Sequence, residues 1–398
     1  MPEFGFQSFL IVFAWSIAVL WLIAFFWTIY CLQKQKTLEI KNDKIPADQT
    51  FISILVPARN EAHRILGKSI SSMLDQTYNN YELIVLNDRS TDGTQEILEK
   101  LKTQNKQLKI IKGKEPDKTW LGKPYALEQA FENSDGEWIL TADADIIFAP
   151  ETLETVVAYA EENDFDALTL IPKQIFGSFW ERLFMPVFGW FCLLAMPLHR
   201  VNDPNRRESM GVGNFFMFRR SVLEEIGGFG SVKAEVAEDL KLAEILKNKK
   251  YKLRIDHAEF VETRMYSGFR EIWEGFTKNL FSGMKFSIAK TVFGSLSILF
   301  FGVLPLFSAV AFLIAGNLSL FLPFFAAYIF QVLIFFVVNL KWRGNIFYAF
   351  LTPIGLALFL AILANSTVKV LSGKGVMWKG RAIYEKGGVP LPVRKKIR

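Results

Sequence analysis

Cysteine is almost missing from this chain. Two occur in 398 residues, Cys31 at the end of a long apolar run and Cys192 inside an aromatic-rich stretch, so neither a disulfide framework nor a thiolate metal site has the spacing it needs. Histidine is nearly as scarce, and His63, His199 and His257 stand too far apart in sequence to mark a zinc site. No internal repeat and no long low-complexity segment interrupts the chain. No lysine or arginine precedes the first apolar run, its core is too long and no small-residue cleavage site follows, which argues against a removed signal peptide. The basic excess sits beside apolar runs without any nucleic-acid-binding motif. Anionic lipid headgroups are therefore the expected partner, and nucleic acid is not.

What the chain does have is apolar length. Ser8 to Cys31 carries no charge and is long enough to cross a bilayer core. After Lys290 come Phe293 to Ala315, Leu318 to Leu340, and Ile346 to Leu363, the last holding Pro353. These runs predict a central domain over 49–290, membrane segments at 1–32 and 291–370, a polar linker over 33–48 and a basic tail over 371–398. Lys34, Lys36, Lys41 and Lys44 follow the first run, Lys341 and Arg343 separate the last two, and Gly316-Asn317 carries no charge. Basic flanks resist translocation, so the Met1 end is expected outside and the central domain in the cytosol. Three full crossings after Lys290 would then strand the basic tail outside. A cytosolic tail is expected instead, with the Pro353 stretch re-entrant or one apolar segment lying in the interface. Phe176 to Leu198, dense in Phe, Trp, Leu and Met, reads either as a core segment or as an interfacial helix over 176–199 that shapes the entrance for an apolar molecule.

The central region has a repeated grammar. Phe51 to Val56 runs into Pro57-Ala58-Arg59-Asn60-Glu61, Tyr81 to Leu86 into Asn87-Asp88, and Trp138 to Ala142 into Asp143-Ala144-Asp145. Each is an apolar strand ending in a polar loop, and Ile65 to Leu74 and Glu96 to Leu101 carry apolar residues at helical spacing between them. Strand, loop, helix, strand predicts an α/β domain with a mostly parallel sheet, whose ligands gather at the carboxyl ends of the strands. Residues two apart at a strand end point the same way. Asp143 and Asp145 thus offer hard oxygen ligands suited to a divalent cation that also takes diphosphate oxygens. Periodicity and spacing alone stop there, at a metal-and-phosphate site.

With these residues in view, the chain resembles the family-two glycosyltransferases of the GT-A fold. The resemblance runs from about Ile52 to Leu246. It rests on the Pro57 to Glu61 loop, Asn87-Asp88 with its Ser-Thr-Asp-Gly-Thr turn, Gly122-Lys123, Asp143-Ala144-Asp145, the Gly211 to Arg220 segment, Ile226-Gly227-Gly228-Phe229 and Glu238-Asp239-Leu240. It implies a Rossmann-like domain, a nucleotide-sugar donor, Mg²⁺ or Mn²⁺, and inverting transfer. Residue by residue, it makes Asp145 the direct metal ligand and puts Asp143 near the ribose or metal. Asp88 would meet the uracil ring or ribose of a uridine-linked donor. Pro57, Ala58, Arg59 and Glu61 would line the base and ribose pocket, and Lys123 would lie near the nucleotide. Asp239 becomes the base that takes the acceptor proton, with Glu238 assisting. Both acids also open a helical pattern, where negative charge is favoured in any case. Asp92-Gly93 fits turn chemistry better than ligand binding.

Departures refine the resemblance. Processive synthases of this family carry Gln-x-x-Arg-Trp after the base, and here the region reads Arg264 to Trp273 without it. A single transfer to a lipid-like acceptor is therefore expected. The chain looks most similar to ceramide glucosyltransferases and to bacterial hopanoid- and carotenoid-associated glycosyltransferases. Related synthases close a Trp-Gly-Arg-type loop over the nucleotide, which would make Trp378 and Arg381 a cap on the diphosphate; a basic aromatic anchor at the membrane interface is the other reading. Polysaccharide synthesis and an inactive nucleotide-sugar-binding subunit are the alternative functions.

Overall fold

Strands that are apolar on nearly every residue need cover on both faces, and this requirement organises the domain. The computed structural model describes residues 2–40, 50–372, 375–378 and 381–382. Its large sheet contains β1 (Thr37–Leu38), β2 (Ile52–Ala58), β3 (Tyr81–Asn87), β4 (Leu108–Lys112), β5 (Trp138–Ala142), β6 (Ile146–Phe148), β7 (Ala167–Gln174), β8 (Phe215–Arg219) and β9 (Leu253–Thr263). The order is β1-β9-β7-β8-β5-β2-β3-β4, with β6 added on β9. Strands β5, β2, β3 and β4 are mutually parallel, and β8 runs antiparallel between β5 and β7. Ala58 faces Asn87 and Leu55 faces Thr141, so the carboxyl ends of β2, β3 and β5 lie along one edge. The mostly parallel α/β sheet expected from the sequence is therefore present.

Helices follow in chain order: α1 (Pro2–Gln33), α2 (Leu66–Leu74), α3 (Thr94–Lys102), α4 (Gly122–Glu132), α5 (Thr152–Glu162), α6 (Phe179–Ala195), α7 (Leu198–Val201), α8 (Arg220–Glu225), α9 (Glu238–Asn248) and α10 (Phe269–Gly283). One sheet face is covered by α2, α3 and α5 through residues such as Ile70, Leu98 and Val156. The other is covered by α4, α8 and α9 through Leu127, Leu223 and Leu242. Part of the stretch read as a linker is instead sheet. Thr37 and Leu38 pair in parallel with His257 and Ala258, and the His257 amide donates to the Lys36 carbonyl at 3.1 Å. Lys41 and Lys44 lie outside the described residues.

Among the described residues, four helices are long and apolar enough to cross a membrane: Gly5–Gln33, Ile288–Ile314, Leu318–Lys341 and Ile346–Leu371. The second joins α11 (Ile288–Ser297) to α12 (Leu304–Ile314) through a π-helical stretch, Ile298–Val303. Its cause lies in Pro305, which has no N–H to give the carbonyl four residues back. That carbonyl, of Phe301, accepts instead from Trp21 Nε1 at 2.6 Å and Gln331 Nε2 at 3.2 Å, which knits three helices together. Next come α13 (Leu318–Lys341), a 3₁₀ segment over Ile346–Leu351, and α14 (Thr352–Leu371). Pro353 sits in the first turn of α14, where no N–H is needed, so it starts a helix and does not break one.

The helix ends define sides. Arg343, just past α13, pairs with Glu259 of β9 at 2.7 Å, and Tyr348 lies 5.5 Å from Phe179. At the far end of α14, Val370 packs with Phe281 and Phe286 of the α10 region, next to Val236. Both ends of the Ile346–Leu371 segment thus meet elements of the α/β domain. The aromatic-rich stretch forms α6, opened by a capping box in which Ser178 and Glu181 bond reciprocally. Trp190 stacks on Trp21 at 5.5 Å, and Phe184 lies 4.7 Å from Phe276 and 6.1 Å from Phe359. Neither sequence reading described this role, a joint between the domain and the apolar helices. A short hairpin, β10 (Met377–Trp378) with β11 (Arg381–Ala382), lies against α10.

Candidate active site

The polar loops beyond β2, β3 and β5 meet at the sheet edge, and their own bonds hold them. Arg59 and the residue after Asp88 set the first contact: Nη1 of Arg59 donates to the carbonyls of Asp88 at 2.7 Å and Arg89 at 3.3 Å. Asn60 and Arg89 both adopt positive φ, 51° and 54°, which turns the two loops sharply. Pro57 lies in register with Leu86. Ala58 is fully buried and contributes its carbonyl, which accepts from the Asp88 amide at 2.8 Å. Glu61 is buried as well, its amide donating to Thr94 Oγ1 at 2.9 Å. Of the predicted pocket lining, Arg59 and Asp88 thus meet directly, while Ala58 acts through its backbone. Asp92 has the turn role expected of it, accepting from the amides of Ala62 and Thr94, both at 3.0 Å.

Asp143 and Asp145 leave the end of β5 on either side of buried Ala144. Each already holds a cation. Lys123, in the first turn of α4, is 2.9 Å from Asp143, and Arg64 is 3.0 Å from Asp145. Arg64 also donates to the Met265 carbonyl at 3.0 Å, which ties the metal-type carboxylate to the segment after β9. Among the described residues no group of three or more His, Cys, Asp and Glu side chains converges as a metal cage. Two hard carboxylates, each with one cationic side chain standing against it, suit a divalent ion that draws its other ligands from diphosphate and water.

Lys123 also reaches Glu238 at 2.8 Å, so one ammonium joins the β5 edge to the start of α9. Beside it, Asp239 is held by two backbone amides. Gly213 N–H donates to Oδ2 and Leu240 N–H to Oδ1, each at 2.8 Å. Glycine is required for that approach. A Cβ on Gly211 would come within 2.4 Å of the Asp239 carbonyl oxygen, and one on Gly213 within 2.9 Å of Oδ2 and 3.0 Å of Lys123 Nζ. Burial and the neighbouring Glu238 charge push the Asp239 carboxyl up to about 6, against the pull of Lys123 and the two amides. Lys123 is held charged well above the ordinary lysine range: burial opposes this, but Asp143, Glu238 and Asp239 outweigh it.

Three further residues were not singled out from the sequence. Arg64 is one. The second is Lys278 of α10, which feels the charges of Glu238, Lys123, Asp143 and Asp239 and whose pKa is lowered chiefly by burial. Tyr266 is the third, buried under Gly275, its phenol pushed up by burial and by the Asp145 charge. Only the basic residue seven positions past the start of the Pro57 motif and a lone lysine inside an aromatic amphipathic helix could have signalled the first two. The backbones of Trp378 and Arg381 lie in the hairpin against α10, while their side chains are outside the described residues.

Residues 53–227 match the family model for glycosyl transferase family 2. Lys123, Asp143 and Asp145 fall inside that span; Glu238 and Asp239 lie just past it. An uncharacterized glycosyltransferase of Haemophilus influenzae is 39% identical over 114 residues, 29% of this chain and 34% of that protein. The beta-monoglucosyldiacylglycerol synthase of Nostoc sp. is 28% identical over 242 residues, 59% of this chain and 47% of that protein. The chain thus spans about a third to a half of the length of these curated relatives. A mannosyltransferase of Pyrobaculum calidifontis, solved with GDP-Man and Mn²⁺, shares the fold at 19% identity and TM-score 0.50, covering 90% of this chain and 99% of that one.

Proposed function

We propose that the glycosyltransferase family 2 domain of this chain moves a single sugar from a nucleotide-sugar donor, UDP-linked, to a lipid-like acceptor, with inversion and with Mg²⁺ or Mn²⁺. The observation that carries the reading is Asp239, fixed by the Gly213 and Leu240 amides beside the Lys123 bridge to Asp143. In this reading Asp239 takes the proton of the acceptor hydroxyl as its oxygen attacks the anomeric carbon, while the bond from that carbon to the diphosphate oxygen breaks. Glu238 holds Lys123 in place, and Lys123 keeps positive charge beside the departing diphosphate. Asp145 and Asp143 would hold the cation, which supplies Lewis-acid stabilisation of the leaving group. Arg59 and Asp88 would frame the nucleoside, and Trp378 and Arg381 would cap the diphosphate from the hairpin on α10.

A lipid acceptor is supported by where the base sits. Val236, two residues before Glu238, packs against the cluster of Phe281, Phe286, Val370 and Val376, so the start of α9 lies beside the end of an apolar helix. At the other end of the same segment, the partly exposed aromatics Tyr348, Phe179, Trp180 and Phe269 stand in successive ring contacts of 4.8–5.5 Å. The diacylglycerol-type product named for the Nostoc relative points the same way. For topology we propose a cytosolic domain, the Ile346–Leu371 segment re-entrant, and the tail on the domain's side. Incubating the purified full chain with UDP- and GDP-sugars, each divalent metal and a diacylglycerol or sterol-like acceptor tests the function. One added hexose on a lipid supports it. A polymer, or donor hydrolysis that ignores every lipid acceptor, rejects it.

A further inference from the structure

At the end of α9 remote from Glu238 and Asp239, a second set of charged side chains gathers. Lys247 there donates to the carbonyls of Val201 at 2.8 Å and Asp203 at 2.6 Å, anchoring the loop that follows α7. Between this loop and the last two turns of α1 lies an open cavity of about 330 Å³, lined by Trp27, Tyr30, His199, Arg200, Asp203 and Arg206. The Arg200 guanidinium lies over the Trp27 ring at 5.2 Å, and Lys34 over Tyr30 at 5.8 Å. His199 meets Tyr30 and Trp27 edge-on at 5.2 and 6.2 Å, and its buried Nδ1 has no hydrogen-bond partner among the described residues. Arg200 is shared with Glu208 at 3.3 Å and Arg206 with Asp203 at 3.8 Å, yet the Arg206 side chain is 59% exposed.

Three cations, Lys34, Arg200 and Arg206, thus face two acids around an imidazole whose Nδ1 lacks a partner among the described residues. Burial, Arg200 and Lys34 all disfavour a proton on His199, the response of an imidazole in a positive field. The second feature is position. Trp27 and Tyr30 occupy the domain-side end of α1, where aromatic side chains sit at the headgroup level of a bilayer. Leading from them into the apolar part of α1, Val19, Ile23, Phe26 and Tyr30 are exposed at spacings of four, three and four, which puts them on one stripe of the helix. A polar anion pocket therefore sits at the mouth of an open apolar ridge.

We propose that this pocket holds the headgroup phosphate of an anionic membrane phospholipid, with an acyl chain lying along the Val19–Tyr30 stripe. The phosphate oxygens accept from Arg200, Arg206 and the His199 Nδ1–H tautomer, and Lys34 adds charge at the rim. The site is independent of the glycosyl-transfer reading, since it contains none of the cleft residues.

Native mass spectrometry of the full chain in detergent, titrated with phosphatidylglycerol, with phosphatidylcholine and with millimolar inorganic phosphate as competitor, tests this. One phosphatidylglycerol should be retained in preference to phosphatidylcholine, and inorganic phosphate should not displace it. Arg206→Gln, which leaves the Arg200–Trp27 contact, should weaken retention roughly fivefold, and Arg200→Gln with Arg206→Gln roughly twenty-fivefold. Melting temperatures without added lipid should match the parent. Equal retention in parent and double variant, or equal affinity for phosphatidylcholine, overturns the proposal. Displacement by inorganic phosphate makes this a free-anion site and overturns the lipid assignment, and so does a loss of retention confined to variants whose melting temperature falls.

Discussion

Replacing Asp239 by Asn separates chemistry from architecture more cleanly than any other change in this cleft. Two stability effects oppose each other. The carboxylate accepts one amide on each oxygen, from Gly213 and Leu240, and an Asn has only one acceptor oxygen. One amide then faces an NH₂ group, at a cost of about 1–3 kcal/mol. Against this, the folded protein holds the Asp239 carboxyl at about 6, raised from 3.8 by burial and by Glu238. A carboxyl whose pKa is raised on folding loses stability as pH rises between those two values, here up to about 3 kcal/mol, and the neutral amide escapes that loss. At pH 7.5 the variant should therefore melt within a few degrees of the parent. Relative to the parent it should become less stable as the pH falls toward 4. Turnover should nonetheless drop by roughly 10²- to 10⁴-fold, the contribution of a positioned base. In the parent, kcat/KM should rise tenfold per pH unit up to about 6 and then level, with the midpoint belonging to the Glu238–Lys123–Asp239 cluster as a whole. Donor affinity, melting and transfer rate should be read on one preparation. Transfer within threefold of the parent would refute the base assignment, whatever the melting curve does.

Asp145→Ala should abolish metal-dependent binding of the nucleoside diphosphate while leaving the fold intact, because it removes a partly buried charged ligand and not apolar core volume; calorimetry with UDP and Mn²⁺ that shows unchanged affinity would sink the metal assignment. Gly211→Ala should reduce turnover and lower stability by about 1–3 kcal/mol, since its methyl meets the Asp239 carbonyl at 2.4 Å and the Phe216 ring at 2.5 Å; a fully active, equally stable variant would contradict the close approach. For topology, single cysteines at Leu318 and Ser372, in a background lacking Cys31 and Cys192, should label differently with an impermeant thiol reagent on intact cells. Leu318 should react and Ser372 should not; labelling of both would mean that the Ile346–Leu371 segment crosses fully and that the hairpin cannot reach the cleft.

Much of the cleft was readable because its signals are local. Apolar strands that run into polar loops announce their own ends, and the Asp143–Asp145 pair follows β5 just as the Arg59 and Asp88 loops follow β2 and β3. The role of Asp92 as a turn residue was equally local. Arg64, Lys278 and Tyr266 were not readable, because each reaches the carboxylates from a segment far away in sequence and carries no spacing signal relative to them. The polar stretch after α1 looked like a linker because two residues of edge strand are too few to show a period, and only pairing with β9 defines them.

The apolar helices divide along the same line. Length and lack of charge by themselves determined that four segments suit a bilayer, and the α/β grammar determined the sheet and the edge at which ligands gather. Where those segments begin and end in space was decided by tertiary contacts: the Arg343–Glu259 pair, the Tyr348–Phe179 contact and the packing of Val370 on Phe281 bring both ends of the last segment back to the domain. The physical reason is that hydrophobicity is a property of each residue and its near neighbours, legible one window at a time. Which buried surfaces pair, and which lysine ends between two acids, depends on the closure of loops tens to hundreds of residues long, and only the folded chain holds that information.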